Sequence, residues 1–482
     1  MGGSASSAST TSAASADYTE ESSHQPPQQT TTASTALQTT ITAATTADEI
    51  IIPDEIVLPD EVIIPAETTA SVQTTTTSTE ASATTPTEAT STAASTTADE
   101  PAEIPTEIGT NSYNAENYGE VKAVWISYLE YSALMKGKTE RQFRENIGGA
   151  FDNCVDLGLN TVYVHARSHG DAYYKSDLFP WSEYASGAVG VSPGYDPLEI
   201  IIDEAHSRDL SVQAWINPLR LCRASDIDKC SGSRYYDWYA DSGRNGKYIV
   251  EVNGYYYLNP AYDEVVGLVA EGAAEIVANY DVDGLHIDDY FYPTTDSSFD
   301  EAAYLQSGYT SLSQFRYDNS SKLVKGLYNA VKAANPAALF SVSCQGSIEN
   351  NYNQVYADVE RWCTESGFVD YIVPQIYYGF DNSTQPYAEC LGRWDALAQQ
   401  GGIPVVAGLA VYKIGVEDKW AGGGKYEWIN NSGILARQIQ LAAQCTSYGG
   451  ISLYSYNSIF NADSAVAQQV WTEIEGVADI LT

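Results

Sequence analysis

Short runs of β-branched and aromatic residues recur along most of the chain, at positions 121–128, 161–167, 210–217, 284–290, 338–345, 369–377, 404–412 and 450–456. Between and after them lie longer stretches in which apolar residues return every three or four positions, at 141–157, 197–208, 261–280, 312–334, 354–366, 387–399, 434–446 and 464–477. The first pattern is that of strands and the second that of amphipathic helices. Strand followed by helix, eight times in succession, predicts a single (β/α)8 TIM barrel, because parallel strands need a helical crossover to return to the same edge. An open, doubly wound sheet is the competing arrangement, but it carries a glycine-rich phosphate turn after its first strand. Residues 125–134 contain no such turn.

Alternation within each run assigns the faces. In the fourth run Leu285 and Ile287 share one side while His286 and Asp288 share the other. The apolar side should meet the helices, so Asp288 is expected to project into the barrel. The same parity sends Tyr163, His165 and Arg167 inward from the second run and Trp215 and Asn217 from the third. Gln375 and Tyr377 follow from the sixth, and Tyr454 and Tyr456 from the eighth. Barrel enzymes carry their chemistry at the carboxyl ends of the strands, where this set would form a polar, aromatic ring.

Residues 1–117 read differently. They are dominated by Thr, Ser and Ala, too poor in apolar surface to offset the entropy of ordering, and are expected to be a disordered tail ahead of a barrel at 118–482. Within the tail, DEIIIP, DEIVLP and DEVIIP follow one another at 48–65, and the repeated proline suggests an extended spacer. Such Ser/Thr tracts suit a secreted or surface-attached protein, although the N-terminal MGGSASSAST lacks the apolar core of a secretion signal. No apolar run approaches the ~20 residues that span a bilayer. The net charge of −39 repels nucleic acid and anionic membrane alike. Seven cysteines all lie in the predicted barrel without CxxC spacing, so no zinc site is indicated; Cys222 and Cys230 flank one loop, as a disulfide or as two thiols. A monomer needing no metal or cofactor is expected.

Cleavage of a glycosidic bond passes through an oxocarbenium-like transition state, which needs a proton donor for the leaving oxygen and a carboxylate for the cation or the attacking water. Asp288 and Asp289 are the catalytic candidates, with Asp288 as nucleophile or cation stabiliser and Asp289, on the rim, as acid/base or its support. Asp171, Glu349 and Asp381 follow other strands as further carboxylates. Arg167 would hold a catalytic aspartate ionised, bind an acidic sugar substituent, or form a structural ion pair. His165 and His286 lack metal-ligand spacing and fit a polar barrel interior. Strand-end aromatics suit a glycan groove, since rings pack on pyranose faces; Trp181, Tyr292 and Tyr378 add to that supply. The expected substrate-binding set is Trp125, His165, Arg167, Asp171, Trp215, Asn217, His286, Tyr290, Gln345, Glu349, Gln375, Tyr377, Tyr412 and Tyr454.

A run of ordered motifs carries a resemblance. These are Val-Lys-Ala-Val-Trp-Ile-Ser around Trp125, Gly-Leu-Asn-Thr-Val-Tyr-Val-His-Ala-Arg ending at Arg167, Gly-Asp-Ala-Tyr-Tyr-Lys-Ser at 170–176 and Tyr-Asp-Pro-Leu at 195–198. Gln-Ala-Trp-Ile-Asn-Pro ending at Pro218, Leu-Asn-Pro ending at Pro260, the 283–293 segment and Asp-Tyr-Ile-Val-Pro-Gln-Ile-Tyr ending at Tyr377 follow in order. In these the chain resembles the bacterial glycosyl hydrolase-like 10 family from about Glu120 to Ile459. The resemblance implies a barrel, hydrolysis of glycans of the cell envelope, including peptidoglycan strands, and catalysis by the aspartates of the fourth strand. The 283–293 segment is also similar to the Asp-Gly-x-Asp-x-Asp-x-Glu signature of chitinase-like barrels, but His286 and Tyr290 stand where that signature has its second Asp and its Glu. Cys344-Gln345-Gly346-Ser347 departs from the Pro-Phe-Gly pattern of the family.

The expectation is therefore a glycoside hydrolase acting on an amino-sugar-containing oligo- or polysaccharide of the bacterial envelope. A surface glycan-binding barrel without catalysis and an α-glucan hydrolase are the alternatives.

Overall fold

The computed structural model describes residues 109–482. The DExxxP repeats and nearly all of the Ser/Thr tail lie outside them.

Eleven strands are present among the described residues: β1 (Val121–Ile126), β2 (Thr161–Arg167), β3 (Ser211–Ile216), β4 (Arg220–Arg223), β5 (Ile249–Val252), β6 (Tyr255–Leu258), β7 (Gly284–Ile287), β8 (Leu339–Val342), β9 (Tyr371–Ile372), β10 (Val405–Ala410) and β11 (Tyr448–Tyr454). Eight of them close into a barrel in the order β1-β11-β10-β9-β8-β7-β3-β2, and every pairing within it is parallel. The fold is the predicted (β/α)8 barrel. Its strands alternate as parity requires: Ala123, Trp125, Tyr163, Trp215, Tyr371 and Val406 fill the interior, while Val124, Ile126, Val162, Val164, Leu285 and Ile287 join the layer under the helices.

Most of the helices stand where the periodicity put them, although the stretch predicted at 354–366 is helical only over Val359–Thr364, and their ends follow local chemistry. Helix Pro197–His206 starts in the Tyr-Asp-Pro-Leu motif, where the Asp196 side chain accepts from the amides of Leu198 and Glu199 and Pro197 occupies the first turn. Proline costs nothing there, because its missing N–H would have had no partner in the helix. Helices Asp263–Asn279 and Leu312–Ala334 pack against each other, each burying an apolar face.

The barrel floor is tied from the N-terminal side. Residues assigned to the tail by composition bond to it: Glu116 N and Tyr113 Oη donate to Asp283, 2.6 and 3.1 Å away, and Asn117 Nδ2 donates to the Asp283 carbonyl.

An excursion after β3 was not anticipated. Between β3 and its helix the chain forms a three-stranded antiparallel sheet, β4-β6-β5, which carries Arg220 to the mouth of the barrel. Cys222 on β4 and Cys230 nearby are thiols in hydrogen-bonding contact. No described helix is long and apolar enough to cross a membrane.

Candidate active site

Asp288 and Asp289 directly follow β7, the fourth barrel strand, at the carboxyl end of the barrel. Asp288 continues the inward parity of His286, is 4% exposed, and accepts from the indole Nε1 of Trp215 on neighbouring β3 at 3.0 Å. Asp289 is half-buried on the rim and accepts from Gln375 Nε2 at 3.2 Å, with Gln345 as a second amide donor. Tyr290 projects outward, 41% exposed.

Burial dominates the electrostatics of the pair. It pushes Asp288 up to about 7, helped by the Asp289 charge and opposed by Arg220, the Trp215 bond and the Tyr290 amide. Asp289 is raised as well, again by burial, while the Gln375 and Gln345 bonds pull it back. Hydrogen bonds to a carboxylate favour its charged form, and desolvation favours the acid. Both carboxyls are therefore biased toward the acid form, the deeper one up to about 7.

An aromatic wall stands beside it. Tyr377, Tyr412 and Tyr454 come from the ends of three successive strands, with ring centroids 5.8–6.0 Å apart. Tyr377 lies within the field of both aspartates.

Several expected site residues hold other posts. Arg167 does not face the cavity. The β2–β3 register shifts between His165 and Arg167, pairing Arg167 with the outward Ile216 and turning its side chain toward helix Asp263–Asn279. There it is 1% exposed and lies 4.2 Å from the Phe179 ring centroid. A Cβ at Gly272 would meet its Nη1 and the Phe179 ring, each at 2.7 Å, so the glycine makes room for both.

His286 is sealed one layer beneath Asp288. Its Nε2 accepts from Trp125 Nε1 and its Nδ1–H donates to Ser341 Oγ, and burial lowers it to about 3. It is a neutral brace, and Trp125, equally buried, is barrel filling; neither is open to substrate. Asn217 is likewise enclosed and accepts from Arg220 N at 3.1 Å. His165 is buried, stacked on Trp215 at 3.4 Å with Nδ1 accepting from Tyr128 N, so it supports the indole that holds Asp288.

Among the spare carboxylates, Asp171 is buried, accepts from His169 N, and is pushed by burial up to about 6. Glu349 pairs with Arg393, which holds its carboxyl below the usual range, and is thereby engaged outside the pair. Asp381 is exposed, and its amide donates to Glu427. Tyr292 packs under Arg316 and Tyr356, while Tyr456 turns outward to bond Asn153.

The residue that sequence reasoning missed is Arg220. It is the arginine whose charge reaches Asp288, one of the roles left open for Arg167, and one advance signal was its position three residues past Asn217 at a strand end.

The sequence profile described as Glycosyl hydrolase-like 10 matches residues 120–422. Glycosyl hydrolase YngK of Bacillus subtilis is 33% identical over 329 residues, 62% of either chain, so the chain spans under two thirds of that relative's length. Glycosyl hydrolase DigH of Escherichia coli is 30% identical over 336 residues, 63% of this chain and 73% of that one. Alpha-L-fucosidase isoenzyme 2 from Paenibacillus thiaminolyticus aligns over 74% of this chain and 49% of its own, at 14% identity and a TM-score of 0.46. With its profile match running from β1 to the loop beyond β10, the chain belongs to the glycosyl hydrolase-like 10 family.

Proposed function

We propose that this protein hydrolyses O-glycosidic bonds of a bacterial envelope glycan of the peptidoglycan type, at Asp288 and Asp289. The observation that carries the reading is the pair itself: two carboxyls at the end of β7, the inner one bonded to Trp215 and the rim one to Gln375. Membership of a glycosyl hydrolase-like family supports the reaction class, and the amino-sugar glycan is the substrate expected from the motif resemblance.

The burial difference favours a division of labour opposite to the one expected from sequence. Asp288, with its acid form favoured up to about 7, donates the proton to the leaving oxygen. Asp289, held by two amide donors, carries the charge that stabilises the cation or orients water. Trp215 and Gln375 fix the two carboxyls, while Tyr290 and the Tyr377-Tyr412-Tyr454 wall offer ring faces to the sugar.

The deciding experiment is mass spectrometry of products from peptidoglycan, chitin and plant-glycan digests, run beside the Asp288→Asn protein. Envelope-glycan fragments released by the parent and not by the variant support the reading. Retained binding with no cleavage of any glycan would instead make this a binding barrel, and maltose-type products would make it an α-glucan hydrolase.

A further inference from the structure

Carboxylates outnumber cations 63 to 24 in this chain, and most of its arginines are accordingly paired. Arg144, Arg208, Arg234, Arg316, Arg361 and Arg393 each bind an Asp or Glu. Arg220 binds none, although it stands at the mouth within the field of Asp288 and Asp171. A guanidinium has five N–H donors, and a single bond to protein engages this one, from Nη2 to the Ser168 carbonyl at 3.3 Å; Nε has no acceptor.

The group is nevertheless fixed. Its backbone is held by Asn217, and the next residue, Leu221, accepts from Gly170 N at 2.7 Å, locking β4 onto the loop after β2. The guanidinium carbon lies 4.9 Å from the centroid of Tyr290 and 5.8 Å from that of Tyr128. Tyr290 directly follows the catalytic pair in the chain. A sugar lying against Tyr290 would therefore bring its substituents to an arginine that is oriented, partly exposed and mostly unbonded.

We infer that Arg220 is a specificity-determining residue that receives a carboxylate carried by the sugar unit seated against Tyr290. The planar fork matches a carboxylate in two parallel bonds, which hydroxyls do not reproduce. The surrounding charge strengthens the case: a chain of −39 repels an anionic glycan, so admitting one requires a local cation kept out of internal ion pairs. Arg167, the other arginine with buried, unbonded nitrogens, is sealed beneath Phe179 and has no access to substrate. This inference rests on the hydrolase reading for its setting but makes a separate claim about the substrate.

The test uses one set of envelope-glycan oligosaccharides with free carboxyls and the same set after carbodiimide and borohydride treatment, which turns each carboxylate into an alcohol. The parent should favour the acid form in kcat/KM by about 10–100-fold, the range of a charged hydrogen-bonded pair. Arg220→Gln should collapse that ratio toward one, and Arg220→Lys should keep part of it, since it retains charge but not the fork. Equal rates on both forms in the parent, or a proportional loss on both forms in Arg220→Gln, would overturn the inference and leave Arg220 as a positioning residue for Asp288. Calorimetric titration of the Asp288→Asn protein with both forms separates the two claims. Tighter binding of the acid form, abolished by Arg220→Gln, upholds the inference even if no cleavage is found, whereas cleavage without discrimination upholds only the hydrolase reading.

Discussion

The indole Nε1 of Trp215 donates to Oδ2 of Asp288 across 3.0 Å, joining adjacent barrel strands β3 and β7 at the point where both end. The bond favours the charged form of a carboxyl that burial otherwise holds up to about 7. Trp215→Phe keeps a ring and removes the donor, so Asp288 should retain its proton to higher pH. If Asp288 is the proton donor, the alkaline limb of the kcat/KM profile should move up by about one unit, the equivalent of ~1.4 kcal/mol from one lost charged hydrogen bond. Movement of the acid limb alone would make Asp288 the group that works ionised.

Asp288→Asn should lower kcat by about 10²–10⁴-fold on glycans with poor leaving groups, the usual contribution of a positioned proton donor. On an aryl glycoside whose leaving group needs no proton, the loss should be much smaller. Asp289→Asn should lower both rates alike, because cation stabilisation is needed whatever departs. Gln375→Leu, which removes a donor to Asp289, should raise that carboxyl's pKa and shift the acid limb upward. Stopped assays across pH with both substrate types distinguish the residues.

The barrel was legible because each strand is enclosed between interior and helices and so keeps a strict two-residue period, which also made the inward course of Asp288 readable. Arg167 was misassigned for a physical reason: the pairing shift after His165 inverts the phase for the last residue of β2. The sixth run was predicted to continue to Tyr377 but yields only Tyr371–Ile372 in the ladder, because Pro374 has no N–H to donate. The β4-β6-β5 sheet left a signal that went unused. Asn253-Gly254, both at positive φ, is the tight turn that joins β5 to β6. Missing that hairpin meant missing Arg220, which the same excursion delivers to the site.

Arg316 and Asp300 form an ion pair with both side chains fully buried, through Nε to Oδ2 at 2.9 Å and Nη2 to Oδ1 at 2.7 Å. Arg316 also donates to the carbonyls of Thr294 and Asp296, so it anchors the loop that follows Asp288 and Asp289. Arg316→Met would leave Asp300 charged and enclosed, and should cost ~3–5 kcal/mol of stability by denaturant titration. The paired change to Met and Leu should recover much of that loss, because it removes both charges together.

His206 and Asp283 set a pH dependence at the opposite end of the barrel from Asp288 and Asp289. Asp283 accepts from His206 Nε2 at 2.9 Å, from Val212 N at 2.7 Å, and from Glu116 N and Tyr113 Oη. Burial lowers the His206 pKa, but the bond to Asp283, its charge and those of Glu116 and Asp281 outweigh that, and the net shift is upward. A histidine whose folded pKa exceeds its unfolded value of about 6.5 stabilises the fold fully below that pH and loses the contribution as pH rises through the folded value. Asp288, whose pKa is also raised, makes overall stability fall with pH too, between about 4 and 7, so the parent curve alone does not isolate His206. The difference between parent and His206→Gln does: the parent's advantage should be largest near pH 5.5 and shrink toward pH 8.5 in denaturant titrations. A difference independent of pH would mean that His206 contributes only packing against Tyr113, on which its ring is stacked at 5.5 Å.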